Sequence, residues 1–175
     1  NKPGAFEIPL GTPFSDLLDL AGGVWKDRKL KAVIPGGSSV PVVKGDIMMD
    51  VAMDYESIAK VGSMLGSGGV IIMDSTTCMV SVLHRISRFY YSESCGQCTP
   101  CREGTGWLYK ILTNILEGRG SSRDLDQLDR IASQIEGHCI CALGDAAAMP
   151  VRSFLKTFGK SLNILLIIKN LWLDK

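Results

Sequence analysis

The sequence predicts an α+β fold, in which a small mixed α/β module is followed by an α-helical bundle built around a metal. Two observations lead to this prediction. Short extended segments separated by Gly- and Pro-rich turns dominate residues 1–74, whereas apolar side chains recur at helical spacing from residue 75 onward. Five of the six cysteines lie in two tight groups in the helical part, and residues 1–77 contain none.

Length and composition restrict the class of protein. With 175 residues, 46% hydrophobic and 21% charged, the chain suits one domain or two small ones and is too short for a large multi-cofactor enzyme. These proportions exclude a collagen-like fibre and a wholly disordered chain. Its 19 basic and 18 acidic residues form no basic stripe, so no nucleic-acid partner is expected. Because the chain begins with Asn1 and not Met, we expect a fragment or a processed product.

The chain opens with a predicted strand and a predicted helix. Residues 5–10 alternate enough for a short strand, which Pro9 restricts to the edge of a sheet. Thr12 is expected to cap a helix in which Pro13 takes the first position, and the Ala-Gly-Gly segment at residues 21–23 ends it.

The rest of the first module is predicted to be strands joined by turns and one helix. Residues 30–34 form a strand, residues 40–43 resume extended structure, and the apolar run 70–73 forms a buried strand. A short helix that begins after Asp54 buries Ile58.

Two glycine-rich segments, 35–39 and 62–69, resemble phosphate-binding loops at first sight. A dinucleotide-binding fingerprint requires its glycines after a strand and at the start of a helix. Here the first segment leads into extended structure and the second precedes a strand, so we predict that both are turns.

The second module is predicted to contain four helices. The first helix leads into a cysteine group, the second ends at residues 118–120, the third stops at Gly137, and the fourth has Pro150 near its start. Their buried faces are expected on Met79, Val82, Leu83, Ile86, Phe89 and Tyr90; on Trp107, Leu108, Ile111, Leu112, Ile115 and Leu116; on Leu125, Leu128, Ile131, Ala132 and Ile135; and on Val151, Phe154, Leu155 and Phe158. Cys78 is expected to be a small buried side chain.

Three cysteines, Cys95, Cys98 and Cys101, stand at two-residue gaps. A tight loop could bring them together on one centre, which suits an iron–sulfur cube because each iron needs a terminal thiolate. A single zinc ion is more often bound by two separate Cys-x-x-Cys pairs, so zinc is the less favoured alternative and unligated buried thiols the least. The fourth ligand is not local, and both Cys139 and Cys141 are candidates.

Two polar residues beside these motifs have more than one interpretation. The positive charge of Arg102 would favour a reduced cluster and raise its potential, or the side chain could be a solvent-facing or ion-paired arginine. His138 could be a ligand or a proton carrier, but a histidine after a helix-ending glycine more often contacts the last helical carbonyls.

Three segments resemble a known family. They are residues 93–104 with the cysteine triplet, residues 134–145 with Cys139 and Cys141, and residues 32–39. All three closely resemble the NADH-binding flavoprotein subunit (the F subunit, of the 51 kDa type) of respiratory complex I, the NADH:quinone oxidoreductase. The similarity covers about residues 1–158 and implies a C-terminal fragment of such a protein.

This resemblance implies a fold and a ligand set. The fold is a β-grasp-like domain of the soluble-ligand-binding (SLBB) type, followed by a helical domain that binds one [4Fe-4S] cluster. The family's ligands fall on Cys95, Cys98, Cys101 and Cys141, and Cys139 stands where a small polar residue is expected. Neither a catalytic nor a flavin-binding residue can be carried over to this chain, since those belong to a glycine-rich domain that precedes the matched part.

The resemblance also implies a function. In such subunits NADH reduces FMN, and electrons pass through the cluster toward quinone, so the chain would be the electron-relay part of an enzyme whose NADH and FMN site lies elsewhere. Expected partners are other hydrophilic complex I subunits, especially the small [2Fe-2S] subunit, on the inner face of a bacterial cell membrane or the matrix side of the mitochondrial one. Alternatives are a diaphorase subunit of an NAD-linked hydrogenase or formate dehydrogenase, or a structural module stapled by metal.

The predicted domains are 1–74, β-grasp-like; 75–160, iron–sulfur-binding; and 161–175, an atypical apolar tail. The apolar stretch in this tail is shorter than the ~20 residues that a membrane-spanning helix needs. We interpret the tail as a partner-docking segment or a frameshifted reading, with the second favoured.

Overall fold

A computed structural model describes the backbone of residues 1–173, with the side chains of residues 1–121 and 123–160. The chain divides into a first unit, Asn1–Thr77, and a second unit that begins at Cys78. Each unit has its own buried core. The predicted α+β class is confirmed, because a small sheet with short helices is followed by long helices alone in the described part of the chain.

A three-stranded antiparallel sheet forms the centre of the first unit. Its strands are β1 (Leu30–Ile34), β2 (Val43–Lys44) and β3 (Ile71–Asp74), in the order β2-β1-β3. Val33 of β1 pairs with Val43 on one side and with Ile72 on the other. The last three residues of β1 are buried, as expected of the central strand.

Three short α-helices and one 3-10 helix complete the first unit: α1 (Phe14–Leu20), α2 (Gly45–Met48) and α3 (Tyr55–Lys60), with the 3-10 helix at Trp25–Asp27. As predicted, Asp54 caps α3, and its carboxylate accepts a hydrogen bond from the backbone N–H of Ser57 at 2.7 Å. The helices pack their apolar side chains on the sheet in one core, which contains Phe14, Leu18, Val33, Val43, Met48, Val51, Met53 and Ile58.

The start of the chain differs from its prediction. Residues 5–10 form no strand, because Pro9 has no N–H to donate and its carbonyl accepts from both the N–H and the hydroxyl of Thr12, at 3.2 and 2.7 Å. The Thr12 hydroxyl is therefore not available to cap α1. Pro13 takes the N-cap position itself, without a side-chain hydrogen bond.

The third strand is also less buried than predicted. Ile71 and Ile72 are 39% and 36% exposed, and only Met73 of this strand is buried. The physical reason is position, since β3 lies at the edge of the sheet and not at its centre.

The two glycine-rich segments are turns, as predicted, and they pack against each other. The N–H of Gly37 donates to the carbonyl of Gly69 at 2.8 Å, and the N–H of Ser67 donates to the carbonyl of Gly36 at 3.1 Å. A Cβ on Gly36 would lie 2.4 Å from the carbonyl oxygen of Leu65, so only glycine fits there.

Four helices make up the second unit: α4 (Met79–Glu93), α5 (Thr99–Leu116), α6 (Ser122–Ile135) and α7 (Leu143–Leu173). Helix α4 packs on α5 and α7, and α6 packs on the same two helices. The core between them is mainly aliphatic and also buries the aromatic rings of Tyr90, Phe154 and Phe158. Its most buried members are Leu83, Leu108, Leu112, Ile115, Leu128, Ile135 and Phe154.

Glycines on α5 allow the neighbouring helices to approach closely. A Cβ on Gly104 would lie 2.7 Å from Cδ1 of Ile135 on α6, and a Cβ on Gly106 would lie 2.9 Å from a ring carbon of Tyr91 on α4. Both distances are shorter than van der Waals contact, so these glycines set the spacing of the bundle around the start of α5.

Several features of the helical unit correct the predictions. Helix α7 begins at Leu143, so Pro150 lies inside it and not near its start. Phe89 and Trp107 are each 52% exposed, because they lie on the outer sides of their helices. Cys78 is exposed at the N-cap of α4, one residue before the buried face begins.

The backbone of α7 continues to Leu173, but the side chains of residues 161–173 lie outside the described part, and so does the interpretation of the tail. Among the described residues, no helix has the length and apolar character required to cross a lipid bilayer.

Candidate metal centre

Two turns of the helical unit bring the cysteine groups together. Residues 94–98 connect α4 to α5, and residues 136–142 connect α6 to α7. The backbone N–H of Ile140, in the second turn, donates a hydrogen bond to Sγ of Cys98, in the first turn, at 3.3 Å. Two motifs far apart in the sequence therefore meet at one place.

The first turn presents its three cysteines at different depths. Cys95 is exposed, Cys98 is half-buried at the N-cap of α5, and Cys101 is buried in the first turn of that helix. The triplet is thus shared between a loop and a helix, which corrects the prediction that a loop alone carries it. Its two-residue gaps still allow successive sulfurs to reach different atoms of one centre.

Arg102 fixes the shape of the first turn. Its Nη1 donates to the carbonyl of Gly96 at 2.9 Å, and its backbone N–H donates to the carbonyl of Cys98 at 2.8 Å. Gly96 itself has a φ of +78°, which favours glycine. Nε of Arg102 also pairs with Glu103 at 3.0 Å, so the ion-paired interpretation is confirmed and a contact with the loop is added.

Two hydroxyl groups contact Cys101, one at its buried thiol and one at its backbone carbonyl. Oγ of Ser94 lies 3.2 Å from Sγ of Cys101, and the hydroxyl of Thr105 donates to the carbonyl of Cys101 at 2.7 Å. The N–H of Gly96 donates to Oγ of Ser94 at 3.4 Å. Cys101 is therefore fixed through both its side chain and its backbone.

The second turn is held by an aspartate and a glycine. Gly137 has a φ of +73°, and its N–H donates to the carboxylate of Asp145 in the first turn of α7 at 2.7 Å. A Cβ on Gly144 would lie 2.6 Å from Sγ and 2.7 Å from Cβ of Cys139. The side chain of Cys139 therefore fills the space that a larger residue at position 144 would need.

Cys139 and Cys141 differ in their surroundings. The thiol of Cys139 is half-buried and donates to the carbonyl of Ile135 at 3.6 Å, whereas Cys141 is exposed. Burial raises the pKa of the Cys139 thiol, and the nearby Cys101 and Cys98 raise it further. Cys139 is packed into its own turn, and Cys141 is the more accessible of the two.

The thiols present fit an iron–sulfur cluster. Four cysteines can supply the four terminal thiolates of a cube, and the N–H of Ile140, which is directed at Cys98, stabilises sulfur in its charged form. In the described part of the chain, no three His, Cys, Asp or Glu side chains are close enough to hold one metal ion. No disulfide joins the cysteines of the two turns.

His138 has a structural role in the second turn. Its Nδ1 lies 2.8 Å from the carbonyl oxygen of Glu136, and its backbone N–H donates to the carbonyl of Ile135 at 3.1 Å. This geometry confirms the alternative in which the histidine serves the last carbonyls of α6.

Sequence reasoning missed Ser94 and Gly144. A glycine inside a helix lowers helix stability by about 1 kcal/mol relative to alanine. Gly144 could therefore have been predicted to make a close contact, and its position near Cys139 and Cys141 suggested where. The position of Ser94 directly before the first cysteine carried no comparable signal, because its contact with Cys101 depends on the bend between α4 and α5.

Comparison with known families agrees with this geometry. Residues 81–164 match the NADH-ubiquinone oxidoreductase-F iron-sulfur binding region, and residues 1–43 match the SLBB domain. The chain carries the [4Fe-4S] binding region of the NADH-quinone oxidoreductase F subunits. The SLBB match confirms the domain type that the sequence implied for the start of the chain.

Individual relatives support the same assignment. The chain is 46% identical over 162 residues to the NADH-quinone oxidoreductase F subunit of Rickettsia bellii (strain OSU 85-389), 47% over 162 residues to one such protein of Rhizobium meliloti (strain 1021) and 50% over 157 residues to that of Mycobacterium bovis. Each match covers 90% of this chain but only 38%, 37% and 35% of the respective relative. The chain therefore spans little more than a third of their length.

A solved structure shows the same fold in a related enzyme. The NAD+-reducing [NiFe]-hydrogenase in its H2-reduced state superposes with a TM-score of 0.83 at 27% identity. The match covers 94% of this chain and 28% of the hydrogenase chain. The hydrogenase chain therefore fits as a related member of the family.

Replacing Gly144 with alanine tests the geometry of the second turn. The new methyl group would overlap both Cβ and Sγ of Cys139, and because Cβ is bonded to the backbone, the turn itself must shift. We expect a destabilisation of about 1–3 kcal/mol, the usual cost of overpacking, measured by urea unfolding. Gly159→Ala on the same helix is the control, because its Cβ would meet nothing within 4 Å. Equal stability of the two variants would contradict the packing described.

Proposed function

We propose that Cys95, Cys98, Cys101 and Cys141 bind the [4Fe-4S] cluster and that the chain is the electron-relay part of an NADH-oxidising flavoprotein subunit. The observation that carries this proposal is the hydrogen bond from the Ile140 N–H to Sγ of Cys98. It joins the turn that holds Cys95 and Cys98 to the turn that holds Cys141. When bound, such a cluster accepts and releases one electron at a time.

The protein's own residues supply the binding and the environment. The turn after α4 brings Cys95 to the surface and keeps Cys101 buried, so the site has an exposed side and a side shielded by the bundle. Arg102 holds the Gly96 carbonyl and adds a positive charge next to Cys101 in the sequence. Cys141 provides the fourth thiolate because it is accessible, whereas Cys139 is confined against Gly144.

The activity of the whole protein follows as a further part of the proposal. NADH would reduce FMN in a part of the subunit that corresponds to the portion of the relatives outside the match. Electrons would then pass through the cluster toward quinone. Partners would be other hydrophilic subunits of the complex, especially the small [2Fe-2S] subunit. The chain would lie peripherally on the inner face of a bacterial cell membrane or on the matrix side of the mitochondrial one. The proposed domains remain 1–74 and 75–160, with a separate tail at 161–175.

A diaphorase subunit of a hydrogenase is the second candidate. The solved hydrogenase supports it, because that chain shares the fold over 94% of the present one. Its identity is 27%, however, against 45–50% for the NADH-quinone oxidoreductase relatives. We therefore favour the respiratory enzyme.

A redox experiment separates electron relay from a structural metal site. The anaerobically purified chain should bleach on addition of dithionite, give the paramagnetic signal of a reduced cluster, and recover its colour on reoxidation. NADH and FMN together should not reduce it rapidly, because the hydride chemistry is assigned to another part of the protein. A colourless zinc protein with no redox response would refute the relay, and rapid reduction by NADH would show that the hydride site was wrongly placed.

Two serine substitutions test the ligand set. In Cys141→Ser the cube should be lost or degraded to a three-iron form, because one iron loses its thiolate. Cys139→Ser is the matched control and should retain the cluster, since that thiol donates to the Ile135 carbonyl at the end of α6. Visible absorption and low-temperature paramagnetic resonance distinguish the forms. The reverse pattern would reassign the fourth ligand to Cys139.

A further inference from the structure

The hydroxyl of Ser94 contacts a cysteine that we assign to the cluster. We propose that Ser94 is a positioning residue that raises the reduction potential of the cluster by donating a hydrogen bond to Sγ of Cys101. The proposal rests on the proposed function, in which Cys101 is a ligand. Ser94 acts through that ligand.

The local backbone places this hydroxyl. Helix α4 ends at Glu93, and Ser94 leaves it with extended backbone angles, φ −65° and ψ 123°. The chain then turns back toward α5, which brings Oγ of Ser94 to 3.2 Å from Sγ of Cys101, seven residues later. The half-buried serine thus lies between the end of one helix and the first turn of the next.

Hydrogen-bond accounting gives the direction of this contact. A serine hydroxyl has one proton to donate and two lone pairs to accept with. The N–H of Gly96 donates to Oγ of Ser94 at 3.4 Å, which uses one lone pair and leaves the proton available. A ligating thiolate has no proton, so Sγ of Cys101 can only accept. The Ser94 O–H is therefore the donor whenever Cys101 is a ligand.

Burial strengthens the effect. Cys101 is 7% exposed, so water competes little for its sulfur. Reduction adds negative charge to the cluster and its thiolates, and a donor directed at a ligand sulfur stabilises the reduced state more than the oxidised one. The potential should therefore be higher with this hydroxyl than without it.

The contact can be tested by substitution of a side chain. The N–H of Ile140 also donates to a cysteine sulfur, that of Cys98. Substitution of the Ile140 side chain would not remove this backbone donor, so the Ser94 hydroxyl is the better target. Ser94 can be changed to alanine, which removes the donor, or to threonine, which keeps it. Ser92, an exposed serine in the last turn of α4, provides a matched control.

The experiment is a redox titration of the cluster-loaded full chain, followed by the paramagnetic signal of the reduced state. In Ser94→Ala we expect a roughly tenfold smaller equilibrium constant for one-electron reduction, which corresponds to a potential lower by ~59 mV. Ser94→Thr should restore the wild-type potential, and Ser92→Ala should not change it.

Each other outcome contradicts the proposal. An unchanged potential in Ser94→Ala with an intact cluster would show that the contact does not set it. Loss of the cluster from Ser94→Ala would assign the serine to cluster assembly instead. A Ser94→Thr variant with the same potential as Ser94→Ala would show that the hydroxyl is not the cause of the higher potential. A wild-type chain that binds no cluster would refute the proposed function. An intact cluster with an unchanged potential in Ser94→Ala would refute only the role of Ser94, so the two results can be distinguished.

Discussion

The meeting of two turns at the ends of four helices is the constraint on which the metal centre depends. The hydrogen bond from the Ile140 N–H to Sγ of Cys98 spans 42 residues, and neither turn could make it without the correct packing of all four helices. Conversely, a bound cluster would tie both turns together and stabilise the bundle, since ligand binding to the folded state opposes unfolding. Folding of the helical unit and cluster binding are thus coupled.

Small residues and backbone groups achieve most of this arrangement. Gly104 permits α6 to approach α5 beside Cys101, and Gly144 leaves the space that Cys139 fills. Arg102 and Asp145 then bind backbone groups of the two turns, at the Gly96 carbonyl and the Gly137 N–H. The cysteines therefore lie on backbone that these side chains and glycines hold in place, the kind of support that keeps the geometry of a binding site precise.

The sequence was sufficient to predict the features that depend on local pattern. Helical periodicity identifies the second unit, Asp54 marks a helix start, and the spacing of Cys95, Cys98 and Cys101 indicates the cluster. Predictions of burial failed where the exposure of a side chain depends on the position of its strand or helix in the folded chain. Ile71 and Ile72 form an apolar pair in a strand that the sheet order places at an edge.

The choice between Cys139 and Cys141 could not be made from spacing, because both lie in one turn and their exposure depends on the space left by Gly144. With either cysteine as the fourth ligand, this chain binds one four-iron cluster. The most direct test is the iron and acid-labile sulfide content of the anaerobically purified protein. We expect about four irons and about four sulfides per chain. Stoichiometric zinc without sulfide would contradict it.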